Sequence, residues 1–154
     1  MNSIDFSRDG KYLATASNDR KLIIYNILKG EMEAQFNLRT YGVDLVKFTH
    51  NPHYVLFTTS DNNDYRVSYL SLWENKIFFS FLGHTDQIVN LELNPLNDLF
   101  VTCSKDGTAR LFNLFDKKCV AIYSGAKCVG CDNTGLVLAI GVEPLESGES
   151  LAKS

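Results

Sequence analysis

Apolar residues recur with a period of two along much of this chain. Ile4 and Phe6 alternate with Ser3, Asp5 and Ser7; Met32, Ala34 and Phe36 with Glu31, Glu33 and Gln35; Val89, Leu91 and Leu93 with Ile88, Asn90, Glu92 and Asn94. Successive side chains of a strand point to opposite faces, so this alternation predicts half-buried β-strands. Breaker clusters separate them: Arg8-Asp9-Gly10-Lys11, Asn51-Pro52-His53, Asp61-Asn62-Asn63-Asp64, Pro95-Leu96-Asn97-Asp98, Lys105-Asp106-Gly107 and Asp132-Asn133-Thr134-Gly135. Their residue types supply positive φ or side-chain-to-backbone hydrogen bonds. Turns that close roughly every 8 to 12 residues fit an antiparallel meander, whereas parallel βαβ units need long crossovers. No window carries a helical stripe, and the expected class is all-β.

The pattern also repeats. Asn2 through Asp19 and Ile88 through Asp106 share the order strand, turn, apolar strand, Ser-x-Asp, with small shifts. Further copies open at Val43-Asp44-Leu45-Val46-Lys47-Phe48 and at Val129-Gly130-Cys131-Asp132. Taking Phe6, Phe48, Leu93 and Cys131 as equivalent gives spacings of 42, 45 and 38 residues. A propeller blade occupies about 40 to 45 residues. In the third copy, Gly83-His84, Ser104, Asp106 and Phe112-Asn113 resemble the Gly-His…Ser-x-Asp…Trp-Asp signature of the WD-repeat β-propeller family. The resemblance implies a structural blade cluster of His84, Ser104, Asp106 and Phe112 that pins a loop to its own blade. Phe112 stands in the Trp place and has no N–H to donate. Elsewhere Tyr25-Asn26 and Leu70-Ser71 hold the Trp-Asp place, Asp19 and Asp64 keep the turn acid, and the single Trp73 falls outside the signature.

A narrower resemblance runs collinearly from Asn2 to Val142. Asn2-Ser3-Ile4-Asp5-Phe6-Ser7, Tyr41-Gly42-Val43-Asp44-Leu45, Thr49-His50, Tyr69-Leu70-Ser71-Leu72 and Gly83-His84 are similar to the WD-repeat subunit of COMPASS-type histone methyltransferase complexes. That subfamily is shared in fungi with the cleavage and polyadenylation machinery and in animals with a nuclear phosphatase complex. It implies a non-enzymatic, chromatin-associated scaffold in the nucleus whose partners are protein subunits, with a role in histone methylation or RNA 3′-end processing. A family member closes about seven blades, so residues 1–142 are expected to form an incomplete propeller, a fragment with three full blade repeats and the start of a fourth. Residues 143–154 have no strand period and are expected to be a disordered tail. Such a fragment should expose a blade face at each end, at Ile4 and Phe6 and at Leu136, Leu138 and Ile140.

Composition narrows the chemistry. The 154 residues carry 15 Lys+Arg against 18 Asp+Glu, a formal charge of −3, so the basic footprint of nucleic-acid binding is missing. The longest apolar run, Leu136 to Val142, is far short of the roughly 18 to 20 residues of a membrane span. With no signal-peptide pattern at the N-terminus, Cys103, Cys119, Cys128 and Cys131 are expected to be reduced and to act as small apolar residues. Cys128-x-x-Cys131 lacks the second ligand pair that zinc needs, and Pro52 places His50 and His53 in a turn. His84, Ser104 and Asp106 invite a hydrolase reading, since nucleophilic catalysis needs a base beside a hydroxyl and an acid to orient it. Blade position accounts for the same three residues without chemistry, and no nucleophile elbow or phosphate-binding loop occurs. No cofactor, metal or small-molecule substrate is expected.

Tyr41, Gly42 and Asp44 are the candidate partner contacts, because they lie on a connection between blades and such loops carry function on rigid scaffolds. The local alternative is a tight turn at Gly42 with Tyr41 packed beside it. An adaptor of another assembly, a ubiquitin-ligase receptor or a vesicle coat, is equally compatible with the fold.

Overall fold

The computed structural model describes residues 1–59, 61 and 63–143. The expected tail therefore lies outside the described residues except for Glu143, whose carboxylate is 3.3 Å from Lys127 Nζ.

Strands β1 (Ser3–Phe6), β2 (Tyr12–Ser17), β3 (Lys21–Asn26) and β4 (Glu31–Asn37) form one antiparallel four-stranded sheet in chain order. Strands β5 (Val46–Phe48), β6 (Tyr54–Thr58), β7 (Val67–Ser71) and β8 (Lys76–Phe81) form a second, and β9 (Ile88–Leu93), β10 (Leu99–Ser104), β11 (Thr108–Asn113) and β12 (Lys118–Ser124) a third. Strands β13 (Ala126–Cys131) and β14 (Leu138–Val142) pair as two strands of a fourth. The all-β meander and the repeat are thus observed as three complete blades and part of another. At the Phe6, Phe48, Leu93 and Cys131 positions, the chain is in or at the end of the first strand of each blade.

Three apolar cores lie between consecutive blades. Leu22, Ile24, Phe36, Val46, Val55 and Phe57 join the first blade to the second. Leu56, Phe81, Ile88, Leu91, Phe100 and Phe112 join the second to the third. Val101, Cys103, Ala109, Ala126 and Val129 join the third to the fourth. Period-two geometry explains the division: along β6, Val55 and Phe57 face one core and Leu56 the other; along β10, Phe100 faces one, Val101 and Cys103 the other.

Bulges change two expected faces. A register shift between Ile24 and Tyr25 brings Met32 opposite Tyr25, and Met32 is exposed while Ala34 and Phe36 face inward. A second shift, between Cys103 and Ser104, pairs Ser104 with Ile88, so Ile88 is buried and Val89 exposed, the reverse of the simple alternation.

The first strands of the blades are stitched together by polar contacts. Asp5 Oδ2 accepts from the Phe48 amide at 2.7 Å, and Lys47 Nζ lies 3.6 Å from Asp5 and 3.3 Å from Glu92, bridging three blades. Burial raises the Asp5 pKa, although the Phe48 amide and Lys47 pull the other way. On the next pair, Asn90 Nδ2 donates to Val129 O at 2.9 Å.

At the first end, Ile4 and Phe6 are 48% and 57% exposed. At the other end the expected face is not the outer one: Leu136, although 83% exposed, lines the cleft between the third and fourth blades together with Leu99, Leu111 and Leu138. Leu138 and Ile140 do not share that exposure; they pack against the core between the third and fourth blades. Contiguous apolar surface of more than a few hundred Å² is uncommon on soluble monomers. The 154-residue chain on its own is therefore expected to elute as oligomer or aggregate by size exclusion with light scattering. A sharp monomer at 17.3 kDa with cooperative thermal unfolding would show instead that this exposure is tolerated in water.

Candidate functional site

The connections between blades and the β2–β3, β6–β7 and β10–β11 turns gather at one end of the sheets. Leu38 N donates to Arg20 O at 2.9 Å, Asp44 N to Thr58 O at 3.0 Å and Lys105 N to Gln87 O at 2.9 Å, tying each blade's entry to its own turn or to that of the blade before. This loop face holds both groups of residues singled out in the sequence.

In the third blade, His84 Nδ1 is 2.8 Å from Asp106 Oδ2, and the two side chains are 2% and 6% exposed. Asp106 also accepts from the Thr85 amide at 3.1 Å, the Thr108 amide at 2.8 Å and the Thr108 hydroxyl at 2.7 Å. Burial alone would raise its pKa, but these donors together with His84 hold it at about 2. For His84, burial is the largest influence and lowers the pKa; Asp106 opposes it and the Arg110 charge adds to it. The neutral imidazole therefore carries its proton on Nδ1, donates to Asp106, and accepts at Nε2 from the Thr102 hydroxyl, 2.8 Å away. A hydroxyl has one proton to give, so the longer 3.4 Å approach of Thr102 to Arg110 O is secondary.

The hydroxyl on His84 is thus that of Thr102, not Ser104. Ser104 Oγ donates to Asp86 O at 2.8 Å and accepts from the Asp106 amide at 3.1 Å. It lies at the bulge that ends β10, where a serine two residues before the turn acid bonds the turn backbone. Thr102 sits one pleat earlier on the same face. His84 and Ser104 consequently form no base–nucleophile pair, and Ser104 is committed to the loop. That a Ser-x-Asp serine serves its own turn is the signal by which sequence reading could have moved the assignment to Thr102.

Phe112 lies in the adjoining apolar layer, 2% exposed. It is stacked on Phe100 at 5.2 Å and set edge-on to Phe81 at 5.4 Å, so it contributes packing and no hydrogen bond. Gly83 has φ 143°, and a Cβ there would come within 2.1 Å of Arg110 Nη1; the guanidinium passes where a side chain would be. Asp64, the corresponding turn acid of the second blade, is paired with Arg66 at 2.5 Å, and Asp19 of the first blade faces solvent near Lys21 at 3.5 Å.

Between the first two blades, Gly42 is buried with φ 64°, and an added Cβ would lie 2.8 Å from the Asp61 carboxyl carbon. Only glycine combines that backbone with that approach. Arg20 Nε stands 2.8 Å from Asp61 Oδ2, close but off the hydrogen-bond axis, so the attraction is coulombic. The Arg66 guanidinium covers the half-buried Tyr41 ring at 5.7 Å. Asp44 accepts from Gln87 Nε2 at 2.8 Å, linking the entry loop of the second blade to that of the third. Gly42 thus has a conformational role, whereas Tyr41 and Asp44 present partly open polar and aromatic surface. His50 Nε2 donates to the Asn97 carbonyl oxygen, 2.9 Å away, between neighbouring turns. Cys128 is exposed and Cys131 half-buried on β13. Among the described residues, no three His, Cys, Asp or Glu side chains are grouped to hold a metal.

Four-stranded antiparallel meanders packed face to face through their central strands define a segment of β-propeller. The model of the WD domain, G-beta repeat, matches residues 1–26 and 75–113. WD repeat-containing protein 82 of Drosophila melanogaster is 35% identical over 144 residues, which cover 92% of this chain and 45% of that protein. COMPASS component SWD2 of Saccharomyces cerevisiae is 28% identical over 143 residues, covering 92% and 43%. Set1 complex component swd2 of Schizosaccharomyces pombe is 28% identical over 141 residues, covering 90% and 39%. This chain belongs to the WD-repeat β-propeller family and is similar to its COMPASS-type subunits. It spans less than half the length of these curated relatives.

Two measurements probe the buried cluster. Asp106→Ala should lower stability by roughly 1 to 3 kcal/mol, because it strands the donors of His84, Thr85 and Thr108. Denaturant midpoints of the two proteins, made in a background long enough to fold, decide it, and a loss under about 0.3 kcal/mol is what an exposed turn residue would give. Both shifts also make stability fall with acid. The unfolded chain binds a proton at His84 near its ordinary 6.5 while the folded chain resists, so stability drops as pH falls below that value. Asp106 adds a second loss between its ordinary 3.8 and about 2. The difference in unfolding free energy between the native chain and His84→Gln should therefore shrink as pH falls through 6.5; a difference independent of pH would contradict the neutral imidazole.

Proposed function

We propose that this chain is part of a non-enzymatic scaffold that holds protein subunits together in a nuclear, chromatin-associated complex of the COMPASS type, with its loop face as the contact surface. Catalysis in that reading belongs to the partners. The observation that carries it is the Tyr41–Asp44 connection: Gly42 fixes the loop against Asp61, and Gln87 ties Asp44 to the next blade, so Tyr41 and Asp44 are held in place before any partner arrives. Preorganised aromatic and charged groups on a rigid rim are what a protein interface uses as anchors. Two of the relatives, a COMPASS component and a Set1 complex component, support a complex of that type as the setting, and histone methylation as its task rests on the subfamily resemblance. A role in RNA 3′-end processing rests on the subfamily resemblance alone. The ring of about seven blades is likewise part of the proposal, with residues 1–142 supplying its share.

Affinity purification of the tagged chain from nuclear extract, followed by mass spectrometry, tests the reading. Methyltransferase or RNA-processing subunits should co-purify. Tyr41→Ala combined with Asp44→Ala should reduce their recovery roughly tenfold or more, the effect of losing an interface anchor, with a far smaller change in thermal stability. Recovery of coat or ubiquitin-ligase subunits alone would favour the other adaptor reading.

A further inference from the structure

The single tryptophan, Trp73, is 83% exposed. It stands at the turn after β7, at the end of the sheets opposite the loop face, and plays no part in any core. His53, on the turn before β6, meets it edge-on with ring centroids 5.9 Å apart, and the Leu72 amide donates to His53 O at 2.9 Å, holding the two turns side by side. These turns form one wall of a cleft of about 400 Å³ between the first and second blades. The first blade supplies the other wall through Tyr12, Ile24 and Glu33, and Leu72 and Ala34 form a floor continuous with the core beneath. Both walls lie within the described chain, so the cleft does not depend on what completes either end of the propeller.

Among the described residues, Glu33 is the one carboxylate lining this cleft, and it is not consumed by its neighbours. Asn26 Nδ2 donates to Glu33 Oε2 at 3.0 Å, which orients the carboxylate and leaves Oε1 to accept from a ligand. The nearby Lys29 is paired with Glu31 at 3.7 Å and Lys11 with Asp9 at 3.7 Å. An apolar floor, two aromatic walls and one oriented carboxylate oxygen are complementary to a flat cation on an alkyl stem. We propose that this inter-blade cleft receives an arginine side chain from an extended segment of a protein partner, its guanidinium stacked on Trp73 and hydrogen-bonded to Glu33, its methylenes over Leu72 and Ile24. Guanidinium is preferred to ammonium because it is more weakly hydrated and stacks on aromatic faces, so moving it into a half-apolar cleft costs less. This surface is distinct from the Tyr41–Asp44 contact, and its failure would leave that reading untouched.

Trp73 is also the reporter, since it is the only indole in the chain. At micromolar chain, titration with acetyl-Ala-Arg-Ala-amide should produce a saturable change in tryptophan emission. The same peptide with citrulline, isosteric and uncharged, should bind about tenfold or more weakly, as should the arginine peptide to Glu33→Gln. The amide oxygen of that variant can still accept from Asn26, so its far-ultraviolet circular dichroism should match that of the native chain. Absence of a saturable response, equal binding of the citrulline peptide, tighter binding of the same peptide with lysine in place of arginine, or unchanged affinity in Glu33→Gln would each overturn the proposal.

Discussion

The constraint on which this protein rests is that the middle sheets are apolar on both faces. A strand such as β6 or β10 places successive side chains in two different cores, so no blade can satisfy itself and each is stabilised by the pair that flanks it. The aromatic cluster of Phe81, Phe100 and Phe112 shows how tightly this coupling is drawn: one ring comes from the second blade and two from the third, with centroids 4.9 to 5.4 Å apart. Stability therefore accumulates at interfaces between repeats. The outer face of the first blade, at Ile4 and Phe6, is where that accumulation stops.

Against that apolar frame, buried polar groups fix how each loop leaves its blade. His84 and Asp106 lie under the surface with their hydrogen bonds filled by Thr102, Thr85 and Thr108. A buried carboxylate is tolerable only when its lone pairs are met, and meeting them locks the β8–β9 connection to the β10–β11 turn. Where the imidazole is missing, ion pairs take over: Asp64 turns to Arg66, and Asp61 to Arg20 across the boundary between blades. The first strands add a third device, Lys47 between Asp5 and Glu92, which joins three blades by charge rather than by packing.

These devices give the two ends of the sheets different surfaces. On the loop face two glycines admit what a side chain would exclude, the Asp61 carboxylate at Gly42 and the Arg110 guanidinium at Gly83. The opposite end keeps an exposed indole and an oriented carboxylate at the seam of two blades. A scaffold whose seams are already filled with apolar residues can devote its rims to recognition without loss of fold, which is how unrelated assemblies come to use one architecture.

The sequence by itself determined the class of this protein and the order of its strands, because alternation of period two and turn residues are local properties. The repeat of Phe6, Phe48, Leu93 and Cys131 and the Gly-His and Ser-x-Asp pieces carried the family as well. It determined which residues gather near His84 only in part. Thr102 and Ser104 are both hydroxyl residues on the same face of β10, and alternation cannot choose between them. The choice was made by the bulge at Cys103 and Ser104, which depends on pairing with β9 across the sheet. The same bulge exchanged Ile88 for Val89 in the core, and the bulge at Ile24 and Tyr25 turned Met32 outward. Likewise the role of Gly42 follows from Asp61 of another turn, and the cleft beneath Trp73 from two blades meeting. Local patterns fix what each strand is; only contacts between segments distant in the chain fix which face, which hydroxyl and which seam it presents.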